Sequence, residues 1–192
     1  MSNFQIYFEI GFKHIDNWGA LDHILFICAL ALRYTFSDWK KLLILVTAFT
    51  IGHCITLGLA VFDIIHVPSK WVELLIAITI LITSFSNIFI KKFVYKTKFP
   101  PIYFYTLFFG LIHGLGFASE FVSLNGKSLQ TAINLLYANI GIELAQLMFV
   151  CIALLISTFC INILKFNRRE YILFVSGGIF SIALQMAITR LP

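Results

Sequence analysis

Residues 41–62 read KLLILVTAFTIGHCITLGLAVF. After Lys41 the only ionisable side chains in this stretch are His53 and Cys54. A helix needs roughly 20 predominantly apolar residues to cross the hydrocarbon core of a bilayer. The stretch is therefore long enough to span, and it carries a histidine at mid-length. Outward from it, five further apolar runs cover residues 21–37, 71–90, 101–121, 131–157 and 170–190. The first is short and is expected to begin nearer Trp18. Residues 4–12 (FQIYFEIGF) are too short to span and are expected to form an interfacial or re-entrant helix. The expected fold is an all-α integral membrane protein, a single bundle of about six transmembrane helices over 1–192.

Composition agrees. Hydrophobic residues make up 60% of the 192, charged residues 12%, and Phe occurs 21 times; mean hydropathy is +0.93. A soluble domain carries roughly 25% charge, so most of the outer surface must face a lipid bilayer. Cys28, Cys54, Cys151 and Cys160 lie in or beside apolar runs without CxxC spacing, which implies neither a disulfide framework nor a zinc knuckle. Glu9, Lys13 and Asp16 interrupt any signal-peptide core.

The net charge of +5 does not point to nucleic acid, because the basic residues are divided among short loops. Arg33, Lys40 and Lys41 border the first loop, Lys91, Lys92, Lys96 and Lys98 fill the third, and Lys165, Arg168 and Arg169 fill the fifth. These are ten of the 14 Lys and Arg. The positive-inside rule puts those loops in the cytoplasm and both termini outside.

Ionisable groups inside a span cost roughly 3 kcal/mol each at the helix centre on insertion scales. They are functional candidates by default. Here they are Asp22, His23, His53, Glu73, His113 and Glu143, with His14 just upstream. With the termini outside, all fall in the outer half or near mid-depth. Helical spacing groups Asn139, Glu143 and Gln146 on one face, Thr47, Thr50 and His53 on another, and Glu73, Ala77, Ile80, Ser84 and Asn87 on a third. Thr106, Gly110, His113 and Phe117 form a fourth stripe, and Gly110, Gly114 and Gly116 would admit a close helix neighbour. Imidazoles with carboxylates suit a divalent first-row metal such as nickel or zinc. The other reading is that these groups hydrogen-bond one another and set helix packing. Glu73 can also serve as a solvated helix end, and His66 reads as an exposed loop residue.

The runs GFKHIDNWGALDHILF, FTIGHCITL, VELLIAITI, FGLIHGLGFA and NIGIELAQL, in this order from residue 11 to about 147, resemble the HupE/UreJ family of bacterial membrane proteins. The sixth span has no comparable motif. The resemblance implies an inner-membrane nickel permease serving hydrogenase and urease maturation. It implies that His14, Asp22, His23, His53, His113 and Glu143 are the metal-site positions, with Asn139 and Gln146 in the last motif. Many members have a shorter gap than the seven residues between His14 and Asp22, and many have Ser where Cys54 stands; Cys54 either adds a soft ligand or replaces a small packing residue. Two further functions fit the polar cluster. One is a zinc-dependent intramembrane hydrolase, not a transporter, with Asp22 or Glu143 acting on a metal-bound water. The other is a metal sensor or accessory protein. A homo-oligomer or a metalloenzyme-maturation partner is compatible with each.

Overall fold

A computed structural model describes residues 2–16, 20–89, 101–125 and 129–191, and these contain helices and no strand. The helices are α1 (Asn3–Asp16), α2 (Leu21–Ala31), α3 (Trp39–Val61), α4 (Ser69–Phe89), α5 (Ile102–Asn125), α6 (Leu129–Thr158) and α7 (Arg168–Thr189). A 3-10 turn at Phe36–Asp38 leads into α3, and a π-helical turn at Phe159–Ile163 continues α6. Among the described residues four helical stretches are long and apolar enough to cross a membrane: Phe36–Val61, Ser69–Phe89, Gln130–Ile163 and Arg168–Thr189. Leu21–Ala31 and Ile102–Ala118 are shorter apolar helices. Large apolar side chains such as Phe104 (70% exposed) and Phe174 (84% exposed) cover the outside, as lipid requires.

The expected first span, 21–37, is corrected. Its helix ends at Ala31, and the chain turns through 32–35. Eleven residues rise about 17 Å, little more than half a hydrocarbon core. The other half is supplied by α1, which is longer than the apolar run 4–12. Phe4 meets Tyr137 (ring centroids 5.2 Å), and the Phe8 backbone meets Gly141. These pairs advance together, so α1 lies along α6 in the same direction. His14, at the end of α1, stands beside His23 at the start of α2 (ring centroids 5.2 Å). Together α1 and α2 have the form of one discontinuous span with its break at the histidines. Trp18 lies outside the described residues.

Glycines set the two closest helix pairs. A Cβ on Gly11 would meet the Ala138 carbonyl, and one on Gly141 the Phe8 carbonyl, which locks α1 to α6. Gly52 faces the Leu107 carbonyl, Gly110 that of Phe49 and Gly114 that of His53, which locks α3 to α5. Gly116, expected to do the same, meets only side-chain ends of Ile76 and Val72. Backbones can approach this closely only where no side chain intervenes.

Helices α4 and α7 run antiparallel and are pinned by arginines at both ends. Arg169 donates to the carbonyls of Asn87 (3.1 Å) and Ile88 at the end of α4, while Arg190 donates to the Glu73 carbonyl (3.2 Å) at its start. The carbonyls of Asn87 and Ile88 are among those left without an intrahelical partner at the end of α4, and Arg169 satisfies them. Between the two, Ile172, Ser176, Ile179, Ala183 and Ala187 form the buried stripe of α7. Along α4, Thr79, Thr83 and Ser84 donate to carbonyls three or four residues back (2.7–2.8 Å), which satisfies these three hydroxyls in an apolar setting.

Candidate metal centre

Four histidines converge at the middle of the bundle. His14 ends α1, His23 lies in the first turn of α2, His53 is central in α3 and His113 is central in α5. His53 is 0% exposed, His113 1% and His23 4%; His14 is half-buried. His23 is the hub, with ring centroids 5.2 Å from His14, 6.0 Å from His53 and 5.0 Å from His113. One nitrogen each from His14, His23 and His53 lies within 4.8 Å of the others. Two nitrogens bound at about 2.1 Å to one ion are at most about 4.2 Å apart, so the trio needs only a small ring rotation to share one.

The hydrogen bonds assign the ring protons. His23 Nδ1 donates to Asp22 Oδ1 (3.1 Å), which also accepts from the His23 backbone N–H (2.9 Å). Asn139 gives its own Nδ2–H to the Leu135 carbonyl (2.8 Å), so its Oδ1 faces His53 and accepts from Nδ1 (3.3 Å). Thr79 spends its proton on the Ile76 carbonyl (2.7 Å), so its oxygen accepts from His113 Nε2 (3.2 Å). In each ring one nitrogen is held by an acceptor and the other carries a lone pair. Those others, His23 Nε2, His53 Nε2 and His113 Nδ1, are buried and have no hydrogen-bond partner. A buried nitrogen without a partner costs roughly 1–3 kcal/mol. An imidazole oriented through one nitrogen by a carboxylate, amide or hydroxyl, with the other left open, is the arrangement of a metal ligand.

Aromatic rings line the cluster. Phe117 stacks on His14 (ring centroids 3.9 Å), Phe49 lies 5.0 Å from His113, and Phe26 lies 5.5 Å from His113.

The two carboxylates named from sequence stand differently. Asp22 touches the cluster through His23, and its Oδ2 lies 3.7 Å from Arg190 Nη1. Glu143 lies one helical turn beyond Asn139 on α6 and accepts from Thr47 Oγ1 (2.6 Å). Gln146, from the same face, accepts from Thr50 (3.2 Å), and its Nε2 has no partner. Glu73 is half-exposed and lies 3.8 Å from Arg190. Cys54 packs at the edge of the Leu57–Ile142 core and is outside the nitrogen cluster; all four cysteines are free. His66 is exposed and pairs with Asp63 (3.2 Å).

Sequence reasoning did not select Thr79 or Arg190. Thr79, Thr83 and Ser86 recur at the same 4-3 spacing as the neighbouring stripe that was read on α4, and that signal could have found Thr79. Arg190 sits in a span without a motif, and its reach to Asp22 depends on the α4–α7 pairing.

Asn139→Leu removes the acceptor that fixes the His53 ring while keeping similar volume. Metal affinity, read by a fluorescent-indicator competition titration, should fall 10- to 100-fold, the usual cost of losing such a partner.

A multi-helix integral membrane protein with an oriented imidazole cluster at its centre is the class that fold and site define. Residues 1–190 match the family described as HupE / UreJ protein. The chain belongs to the HupE/UreJ family. No curated protein and no solved structure matches it.

Proposed function

We propose that the protein is a divalent transition-metal permease, with nickel as its first substrate, in a bacterial inner membrane with both termini on the outer side. Two observations support this reading: nitrogens of His14, His23 and His53 lie close enough together to share an ion, and buried nitrogens of His23, His53 and His113 have no hydrogen-bond partner. Imidazole suits nickel, zinc and copper, and Asp22 behind His23 adds negative charge to balance a dication. Family membership agrees with metal handling.

A permease also needs a way onward from its central site, and discontinuous helices commonly frame such sites. Asp22, at the start of α2, sets a carboxylate beside the histidine cluster. From His53 and Asn139, the α3–α6 seam continues with two further polar pairs, Thr50 with Gln146 and Thr47 with Glu143. On the other polar stripes, Ser84 and Thr106 donate to carbonyls of their own helices, and Asn87 holds Arg33 across to the turn after α2. The seam rather than α4 supports the exit.

The hydrolase reading has less support. A zinc-bound water needs a free base beside it, whereas Asp22 is engaged by His23 and Glu143 by Thr47.

Reconstitution into proteoliposomes tests the proposal. Saturable uptake of nickel, above that of protein-free vesicles and competed by cobalt or zinc, is expected. Intact metal binding with no uptake of nickel, cobalt or zinc would overturn it.

A further inference from the structure

At the end of the bundle opposite Asp22, Arg33 is drawn inside. It is 6% exposed although it follows α2 in a turn. Its Nε donates to Asn87 Oδ1 (2.5 Å) and its Nη2 to Ser86 Oγ. A guanidinium has five N–H donors, so three remain. No carboxylate among the described residues pairs with it, and a buried cation without an anion is costly.

Arg33 lies at the polar end of a crevice of about 300 Å³ between α2, α4 and α5. The walls include Leu30, Ile102 and Phe109, and the polar end adds Thr83 and Ser86. Its rim carries Ile82 and Tyr105, which are 53% and 59% exposed on the apolar outer surface. The crevice is therefore an apolar slot that opens sideways and closes on one positive charge. The same end of the bundle holds Arg168, which donates to the Arg33 carbonyl (3.3 Å), and Arg169. Charge bias assigns this end to the inner leaflet.

We infer that this crevice is a binding site for an anionic phospholipid, with an acyl chain between α4 and α5 and the phosphate diester on Arg33. The slot matches the chain by its walls and the headgroup by its charge. Basic pockets between transmembrane helices on the cytoplasmic side bind phosphate headgroups for the same reason. The inference does not rest on the metal reading, because no histidine lines the crevice.

The test is native mass spectrometry of the full-length protein in mild detergent, offered phosphatidylglycerol or phosphatidylcholine with identical chains. The wild type should retain phosphatidylglycerol roughly fivefold better, the scale of one arginine against an anionic headgroup. Arg33→Gln should bring the two lipids to parity. Because Arg33→Gln changes a buried charge, Ile82→Trp serves as a second variant: it obstructs the mouth from an exposed position and should reduce retention of both lipids with unchanged circular dichroism. A third arm adds inorganic phosphate and follows thermal stability, where no stabilisation is expected. Equal retention of the two lipids by the wild type, unaltered retention in Ile82→Trp, or stabilisation by inorganic phosphate equal to that by the lipid would each overturn the inference.

Discussion

Gly110→Ala should separate α3 from α5 and lower the melting temperature in detergent by on the order of 10 °C. A Cβ at position 110 would meet the Phe49 carbonyl, carbonyl carbon and Cα, all backbone atoms that cannot rotate away. Overpacking of a fitted interface costs typically 1–3 kcal/mol, and a clash with main chain belongs at about 3 kcal/mol. For a chain of this size each kcal/mol corresponds to about 2–4 °C. The effect should extend to the site, because Phe49 packs against both His53 and His113. Gly178→Ala is the control. Nothing lies within 4 Å of its added Cβ, and alanine favours a helix interior by about 1 kcal/mol over glycine, so its melting temperature should hold or rise. A Gly110→Ala protein as stable as the Gly178→Ala protein would mean that α3 and α5 do not pack as described.

His23→Ala should abolish metal binding while leaving the metal-free protein folded. His23 is the ring in contact with each of the other three histidines, so no pair of neighbouring ligands replaces it. Loss of an orienting partner alone weakens metal sites 10- to 100-fold; loss of the hub ligand should exceed about 100-fold. The stability prediction separates a binding role from a packing role. His23 Nε2 is buried without a partner, so removing it deletes a cost of about 1–3 kcal/mol that offsets the cavity left behind. Nickel at about 100 times its Kd should stabilise the wild type by about 2.7 kcal/mol and His23→Ala not at all. If His23→Ala instead lowered the metal-free melting temperature strongly and kept the nickel shift, the histidines would be packing groups. His66→Ala, changed at an exposed histidine on Asp63, should match the wild type in both respects.

The helical membrane fold was legible because span length is written directly in apolar run length. The runs 41–62, 71–90 and 170–190 lie within two residues of α3, α4 and α7 at each end. The first span was legible only in part. Composition shows where apolar residues stop, but the division of labour between α1 and α2 comes from the Gly11–Ala138 and Gly141–Phe8 contacts, which are between distant parts of the chain. The histidines could be named because ionisable groups in apolar runs stand out by cost alone. Their partners could be named only where they shared a motif: Asn139 did, whereas Thr79 is one of several threonines on α4, chosen by the angle at which α4 meets α5. Depth was partly legible too. Asn139, Glu143 and Gln146 do share the face toward α3, yet one turn of helix puts Glu143 on Thr47 rather than on a histidine. Periodicity finds the face, and helix pairing decides the level.

The most direct test of the central claim, that the buried imidazoles form one metal site, is the metal content of the purified protein after nickel loading and desalting. Inductively coupled plasma mass spectrometry should find about one nickel per chain in the wild type, as one set of converging ligands allows, and almost none in the His53→Ala, His113→Ala double variant. Full nickel content in a folded double variant would contradict the account.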